Sequence, residues 1–466
     1  MQLKIDSRKV ENGDIFFCLK GSQVDGHDYA MAAAENGAAV IVYERDIPFK
    51  EDGGTIYIKV DDTLKALNQA ADSLNGFPSK KLTMFGVTGT NGKSSISYMI
   101  SNIYSKYVAP CGYMGTIGGK YNTGLTTADI IDMHSTLADM VKDGAKATSI
   151  EVSSHGLVQG RVDAVDFDYA IYTNLTPEHL DYFHDMDTYC KAKALFFQML
   201  KPEAVAVINV DDKYSDEMIS GCTGKVITYG IQAEKEPDYL ATNIVYSFDG
   251  MEFDILHQGN TYHVTTNMHV TYNLYNLLAV AATLHQAGLN MEDVISEFVH
   301  APSIPGRMDI IDKGQDFKVI VDYAHTDDSY QQLLSYVRND IPGVNRIITV
   351  FGAPGKRDKE NRRRYANWVG KFCDYTVLTE EDYRDESPAD IAKDISSNFP
   401  EGYQYDFVED RYEAIKTAIE YATKGDVVLI LGKGAENYLD KTKGKEFWMG
   451  DDEAAKEILK AYMDCK

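Results

Sequence analysis

Residues Lys81 to Ser95 read KLTMFGVTGTNGKSS. An apolar run ends in spaced glycines, then a lysine and a serine, and a helical pattern follows over Ile96–Tyr104. Strand, glycine-rich turn and helix in this order describe a phosphate-binding loop. Glycines let backbone N–H groups close around phosphate oxygens, the lysine adds positive charge, and the serine hydroxyl can ligate Mg2+. The pattern is not a full Walker A, because Val87 stands where its first glycine would fall; the glycines here are Gly86, Gly89 and Gly92. Gly89, Thr90, Asn91, Gly92, Lys93 and Ser94 are therefore candidate contacts to a nucleoside triphosphate. The chemistry is restricted to phosphoryl transfer or ATP-driven work.

The chain has 466 residues, enough for about three domains. Lys and Arg number 46 and Asp and Glu 71, a formal charge of −25. Such an acidic surface is a poor partner for nucleic acid or an anionic membrane, so basic residues gathered in a cleft would serve an anionic ligand. The six cysteines form no CxxC pair, which gives no sign of a zinc or redox site. There is no apolar signal segment near Met1 and no run long enough to span a bilayer. The expectation is a cytoplasmic, monomeric protein with reduced thiols.

Residues 1–80 alternate short strands (Asp14–Leu19, Ala38–Tyr43) with helical stretches (Tyr29–Asn36, Leu64–Leu74) and end in the turn-rich Gly76–Ser79. Residues 81–304 open with the loop. Apolar strands follow at Ala147–Val152, Tyr169–Tyr172 and Ala204–Ile208, then two-residue alternation over 244–270 with turns at Asp249-Gly250 and Gly259-Asn260, then a helix over Leu274–Ala287. Residues 305–466 begin after Ile304-Pro-Gly-Arg307 and place strands at Lys318–Asp322, Arg346–Phe351, Tyr375–Leu378 and Val427–Leu431. The reading is an α/β protein: a small N-terminal α/β domain, a central doubly wound domain carrying a β-meander, and a second doubly wound domain. Ligands are expected at the strands' C-terminal ends.

Polar clusters follow those strands. Glu151 ends one, in a position to hold Mg2+ together with Ser94. Thr173-Asn-Leu-Thr-Pro-Glu-His-Leu-Asp181 follows the next. Its simplest reading is a helix start, with Thr176 as the cap and Glu178 and Asp181 in the first turns. Lys191 and Lys193 lie on a helical stretch, where solvated lysines are the plain reading.

Four motifs in order, GTNGKS (Gly89–Ser94), EVSSHGLVQGR (Glu151–Arg161), TNLTPEHLDY (Thr173–Tyr182) and VDYAHT (Val321–Thr326), resemble the Mur ligases. Within that family they are most like the members that add the third residue of the peptidoglycan peptide. The likeness runs from Asp6 to about Tyr438. It implies three domains, for a UDP-sugar, for ATP and for an incoming amino acid. It also implies amide formation: a carboxylate of UDP-MurNAc-L-Ala-D-Glu takes the ATP γ-phosphoryl, and an amine displaces phosphate from the acyl phosphate. Two anions at about 4 Å repel by about 1 kcal/mol in water and about 4 at an effective dielectric near 20, so cations must gather where they meet.

By this resemblance Ser94 and Glu151 serve one Mg2+, and His179 and Lys193, the latter as a carbamate, serve a second; Lys93, Glu151, His179 and Lys193 form the catalytic set. Asn273, Asn276, Arg307 and Asp322 match nucleotide contacts. Ser7 and Arg8 match the uridine side, and Thr126, Thr127, Ser153 and Arg161 match residues near the muramoyl peptide. Departures are Leu125 for an asparagine, Glu178 for an aspartate, and no counterpart of the short segment that precedes the Ser-Arg strand in relatives.

For the amino acid, the resemblance points to Arg357 at the α-carboxylate, to Gly432 and Glu436 in Gly-Lys-Gly-Ala-Glu, with Glu436 on a side-chain amine, and to Asp382 and Arg384 in Glu381-Asp-Tyr-Arg384. In diaminopimelate-adding members this last stretch is Asp-Asn-Pro-Arg. The retained arginine suits a distal carboxylate, whereas the extra acid at Asp382 favours an ammonium. Diaminopimelate is favoured, with lysine or ornithine next. The alternatives are a related ligase on another carboxylate, of cyanophycin or folylpolyglutamate type, and an inactive nucleotide-sugar-binding paralogue.

Overall fold

A computed structural model describes residues 1–21, 24–49, 54–300 and 308–464. Arg307 and the boundary at 304–307 lie outside the described residues. The chain forms two compact units: Met1–Thr242 with Asp254–Tyr262 and Tyr275–Glu297, and Asn243–Phe253 with His263–Leu274 and Phe298–Lys466.

The α/β class read from the sequence is the one observed. The first sheet is β1 (Leu3–Lys4), β2 (Ile15–Phe17), β3 (Val40–Tyr43) and β4 (Ile56–Lys59), in that order and parallel throughout. The second contains β5 (Thr83–Thr88), β6 (Cys111–Met114), β7 (Ala147–Glu151), β8 (Tyr169–Tyr172), β9 (Val205–Asn209), β10 (Lys225–Gly230), β11 (Tyr239–Ser247), β12 (Gly250–His257) and β13 (Asn260–Thr266), in the order β13-β12-β11-β10-β9-β8-β5-β7-β6. The third contains β14 (Asp309–Ile311), β15 (Lys318–Asp322), β16 (Ile347–Phe351), β17 (Tyr375–Leu378), β18 (Tyr405–Phe407) and β19 (Val427–Leu431), in the order β14-β15-β19-β16-β17-β18; only β14 runs antiparallel to its neighbour. A hairpin, β20 (Tyr438–Lys441) with β21 (Gly444–Phe447), follows.

Strands covered on both faces tend to carry continuous apolar sequence, as β19 and most of β16 do, and both are buried at every residue; β7, Ala-Thr-Ser-Ile-Glu, is buried throughout as well although its sequence is mixed. Helices cover them by one face. Over Ile130–Lys142 the buried Ile130, Met133, Leu137 and Met140 recur every three or four residues, and Asp129 caps the start by accepting from the Asp132 N–H at 3.0 Å. Gly86 is a strand residue of β5, not part of the turn. A Cβ there would lie 2.5 Å from the Phe196 ring and 2.6 Å from that of Phe167, so its role is to let aromatic rings pack on the sheet.

In the second unit a fully buried ion pair ties the elements at one edge together. Arg411 donates to both Asp451 oxygens at 2.7 Å, to the Glu380 carbonyl at 3.1 Å and to the Leu431 carbonyl at 2.8 Å.

Register decides which loops meet. Val87 stands opposite Glu151 and Thr88 opposite Tyr172 in parallel strands, so the turn after β5, the end of β7 and the segment after β8 emerge side by side. Asp322 stands opposite Leu431 and Phe351 opposite Leu378, so the ends of β15, β19, β16 and β17 share one edge of the third sheet.

Candidate functional site

The turn after β5 leads into a helix over Lys93–Tyr107, with Gly92 as its left-handed N-terminal residue (φ 89°) and Gly89 at φ 146°. Glycine adopts such angles without steric cost. A Cβ on Gly89 would lie 1.8 Å from Thr173 Oγ1, and one on Gly92 would lie 2.4 Å from Asn276 Oδ1. The loop is thus gripped from outside. Thr90 N–H donates to the Asn174 carbonyl at 2.8 Å, Asn91 N–H to Asn174 Oδ1 at 3.0 Å, Thr173 Oγ1 to the Asn91 carbonyl at 2.6 Å, and Thr176 N–H to Thr90 Oγ1 at 3.0 Å. This corrects the capping expectation for Thr176: the short helix starts at Leu180, with His179 before it in a left-handed conformation and no side-chain cap. Thr176 is spent on the phosphate loop instead.

Two lysines converge on one carbonyl. Lys93 Nζ donates to the Gly89 carbonyl at 3.0 Å and to that of Thr90 at 2.9 Å, and Lys193 Nζ donates to the Gly89 carbonyl at 2.8 Å. Burial pulls the Lys93 pKa down. It pulls that of Lys193 well below the ordinary lysine value, and the neighbouring Lys93 charge adds to the effect. The plain reading of two solvated lysines holds for Lys191, which pairs with Asp187 at the surface, and fails for Lys193, which is 1% exposed. The Tyr189 ring lies 4.8 Å from Lys193 Nζ, and its hydroxyl lies 3.3 Å from Thr90 Oγ1.

The buried Glu151 accepts from Ser94 Oγ at 2.9 Å, Tyr113 OH at 2.6 Å and the Thr116 N–H at 2.8 Å. Ser94 and Glu151 thus offer adjacent oxygen donors of the kind a hard dication takes. An ammonium cannot ligate a cation, so His179 and Lys193 fit a second dication only if Lys193 becomes an oxygen donor. His179 is exposed and belongs to an aromatic group: its ring centroid is 4.9 Å from His155 and 6.3 Å from Tyr189, the ring that also underlies Lys193. Among the described residues no three His, Cys, Asp or Glu side chains already form a metal centre.

Other candidates fall into separate groups. Thr127 Oγ1 lies 2.9 Å from the Glu151 carbonyl and 3.0 Å from Ser153 Oγ, and Arg161 donates to the Thr127 carbonyl at 2.7 Å, which joins Thr127, Ser153 and Arg161 to the end of β7. Thr126 lies beside them in sequence, half-buried in a turn. Ser7 is buried and its carbonyl accepts from Asn36 at 2.9 Å. Arg8 is exposed and held by Asp6, whose carboxyl that pairing keeps down at about 2. Asn276 lines the loop at Gly92, and Asn273 donates to the His269 carbonyl at 2.7 Å.

In the second unit Asp322 accepts from the N–H groups of Met308 and Ala324 at 2.8 and 2.7 Å. Arg357 is exposed. Arg384 donates to Asp440 at 3.0 Å and to the Gly355 carbonyl at 2.8 Å. The acids around it have other partners: Asp382 takes Lys433, Asp385 takes Lys356 and Glu386 takes Arg362. Arg384 therefore does not serve to neutralise Asp382, Asp385 or Glu386. A Cβ on Gly432 would meet Glu381 Oε2 at 2.6 Å, and burial raises the Glu381 pKa to about 7. Glu436 accepts from Lys433 at 2.5 Å and from Tyr323 at 3.1 Å.

Sequence reasoning missed Tyr113, Thr116, Asn174, Tyr189 and Lys433. Lys433 had a signal, a lysine between two glycines directly after an apolar strand. Tyr113 had none, because its partner Glu151 is 38 residues away.

A glycine turn gripping two lysines, beside a serine–carboxylate pair at a parallel sheet's C-terminal edge, defines a P-loop nucleotide-dependent enzyme. The family profiles are more specific. "Mur ligase family, catalytic domain" matches residues 2–74, "Mur ligase middle domain" residues 87–284 and "Mur ligase, glutamate ligase domain" residues 306–434. The chain belongs to the Mur ligase family. It is 37% identical to a UDP-N-acetylmuramoyl-L-alanyl-D-glutamate–2,6-diaminopimelate ligase of Bacillus cereus, covering 98% of this chain and 93% of that one. It is 37% identical to the ligase of the same name from Fusobacterium nucleatum, covering 99% and 94%. A solved structure of a protein with that name superposes with TM-score 0.78 at 30% identity, covering 99% of this chain and 95% of the other.

Proposed function

We propose that this chain is an ATP-dependent ligase that joins meso-diaminopimelate to the D-glutamyl carboxylate of UDP-MurNAc-L-Ala-D-Glu, releasing ADP and phosphate. The observation that carries the reading is the convergence of Lys93, Lys193, Ser94 and Glu151 on one turn. Residues 1–80 take the UDP-sugar, through Ser7 and Arg8. Residues 81–304 take ATP on Gly89–Ser94 with Asn273 and Asn276, and hold the muramoyl peptide with Thr126, Thr127, Ser153 and Arg161. Residues 305–466 take the amino acid on Arg357, Asp382, Arg384, Gly432 and Glu436; Arg307 and Asp322 are assigned to the nucleotide by the family resemblance alone. In this reading the enzyme works in the cytoplasm as a monomer. Separately, no helix among the described residues is long and apolar enough to cross a membrane.

The carboxylate oxygen attacks the γ-phosphorus and ADP leaves. The amine then attacks the acyl carbon, loses a proton, and phosphate departs with the former carboxylate oxygen. Lys93 offsets the repulsion between carboxylate and triphosphate where they meet. Ser94 and Glu151 would hold one Mg2+, and His179 and carbamylated Lys193 a second; bound there, the ions neutralise developing phosphate charge. Lys193 is suited to the modification because burial beside Lys93 favours its neutral amine. That form adds to CO2 to give an N-carboxylate and a proton.

The test is phosphate release from ATP with UDP-MurNAc-L-Ala-D-Glu and single amino acids. Release that needs both the nucleotide sugar and diaminopimelate supports the reading. Tight nucleotide-sugar binding with no release for any amino acid contradicts it and favours the inactive paralogue. The clamp on Arg384 also makes a prediction, because a fixed guanidinium pairs best with a second carboxylate. Arg384→Ala should cut kcat/KM for diaminopimelate by about 10–100-fold and that for lysine far less. Equal losses would remove the distal-carboxylate role.

A further inference from the structure

The two oxygens of Glu151 are used unequally. Oε1 accepts from Tyr113 OH at 2.6 Å, from the Thr116 N–H at 2.8 Å and from Thr116 Oγ1 at 3.1 Å. Oε2 has one donor among the described residues, Ser94 Oγ at 2.9 Å. A carboxylate oxygen offers about two lone pairs, so three donors fill Oε1 while one leaves Oε2 able to take a further partner. Ser94 Oγ in turn lies 2.8 Å from Thr116 Oγ1, which sets the serine between the two oxygens that fix its place.

Tyr113 builds this asymmetry. In the parallel pairing of β6 with β7 it stands opposite Ser149, so its side chain shares a sheet face with Ser149 and Glu151. Its ring meets that of Tyr98 edge-on at 5.7 Å, and Tyr98 lies one turn beyond Ser94 on the helix over Lys93–Tyr107. Its hydroxyl donates to Glu151 and accepts the Ile117 N–H at 3.1 Å, which closes the turn carrying Thr116. Gly115 lets that turn come so near: a Cβ there would lie 2.1 Å from Glu151 Oε1 and 2.5 Å from Tyr113 OH.

We propose that Tyr113, with the Thr116 turn it closes, is a positioning residue for a dication: it occupies Glu151 Oε1 and so leaves Oε2, beside Ser94 Oγ, as the oxygen offered to the ion. This rests on the ligase reading above and deepens its assignment of Ser94 and Glu151. Without the Tyr113 hydroxyl, Oε1 keeps only Thr116, and the carboxylate can turn away from Ser94.

The experiment titrates the full chain with Mn2+ at saturating ADP and reads free Mn2+ by electron paramagnetic resonance, so no turnover is involved. Tyr113→Phe removes the hydroxyl and keeps the ring. Its Kd for Mn2+ should rise about tenfold or more, while its calorimetric affinity for UDP-MurNAc-L-Ala-D-Glu stays within about twofold. In turnover, the Mg2+ concentration for half-maximal rate should rise by a like factor, with kcat at saturating Mg2+ within about threefold. On a Glu151→Gln background Tyr113→Phe should raise the Mn2+ Kd no further, because the hydroxyl acts through that carboxylate. Thr116→Val keeps the N–H donor to Oε1 and should raise the Kd by less. An unchanged Mn2+ Kd in Tyr113→Phe, or an equal loss on the Glu151→Gln background, overturns the proposal while the ligase reading stands; if Tyr113→Phe does not fold, an unchanged Kd in Thr116→Val overturns it. No phosphate release by the unsubstituted enzyme with any amino acid overturns the ligase reading, whatever the Mn2+ titration gives.

Discussion

Replacing Lys193 by alanine should lower kcat by about three orders of magnitude, and short carboxylates such as acetate or propionate should restore part of it. The size follows from the place of the side chain. Lys193 is buried, bonded to the Gly89 carbonyl and shares that oxygen with Lys93. A group of this kind acts where charge develops, and losing one such electrostatic contact typically costs about 10²–10³ in rate. Losing a dication position as well places the expectation at the upper end. Rescue separates two roles. If Lys193 works as an N-carboxylate, a small carboxylate diffusing into the space supplies the missing oxygens. If it works as an ammonium, added carboxylate does nothing and short alkylamines rescue instead. Full activity of Lys193→Ala would refute both.

Asp451→Asn should destabilise the second unit by about 3–5 kcal/mol, because removing one partner of a buried ion pair strands the other charge. Arg411 and Asp451 are both fully buried and joined by two bonds of 2.7 Å. Burial alone would lower the Arg411 pKa, and the Asp451 pairing outweighs it to leave the pKa raised. The loss reaches the candidate amino-acid site, since Arg411 also holds the carbonyls of Glu380, two residues before Asp382, and of Leu431, beside Gly432. Urea unfolding followed by tryptophan fluorescence reads the effect directly, because Trp448 donates to Asp451 at 3.2 Å and both tryptophans, Trp368 and Trp448, belong to this unit. The apolar double variant Arg411→Met with Asp451→Leu should lose less than Asp451→Asn alone. A single-variant loss below about 1 kcal/mol would show that the pair is not the tie the geometry suggests.

What the sequence could and could not announce divides by the range of the interactions. The bounds the sequence implies for β8, β15, β17 and β19 are the ones observed, because strands buried on both faces write themselves as largely apolar runs. The edge strand β4 carries no such signal: Ile56–Lys59 is mostly exposed and is defined by pairing with β3. The hairpin β20–β21 is likewise short, with β20 half-buried around Leu439 and β21 mostly exposed. At the site, Lys93, Ser94 and Glu151 carry signals in their own motifs. Lys193 does not, because an amphipathic helix with two lysines looks the same whether one of them is buried. Thr176 looked like a cap because capping is a local rule, and the contact that prevails comes from Thr90, 86 residues away. Gly86 looked like a turn glycine because its aromatic neighbours, Phe167 and Phe196, lie far along the chain.

An acyl phosphate made at the Gly89–Ser94 turn is the intermediate on which the proposed chemistry depends. Its most direct test uses UDP-MurNAc-L-Ala-D-Glu with 18O in the D-glutamyl carboxylate that becomes the amide, incubated with ATP, Mg2+ and diaminopimelate. Mass spectrometry of the released phosphate should find one 18O atom per turnover. Phosphate free of label, from a reaction that still forms the amide, would contradict the account.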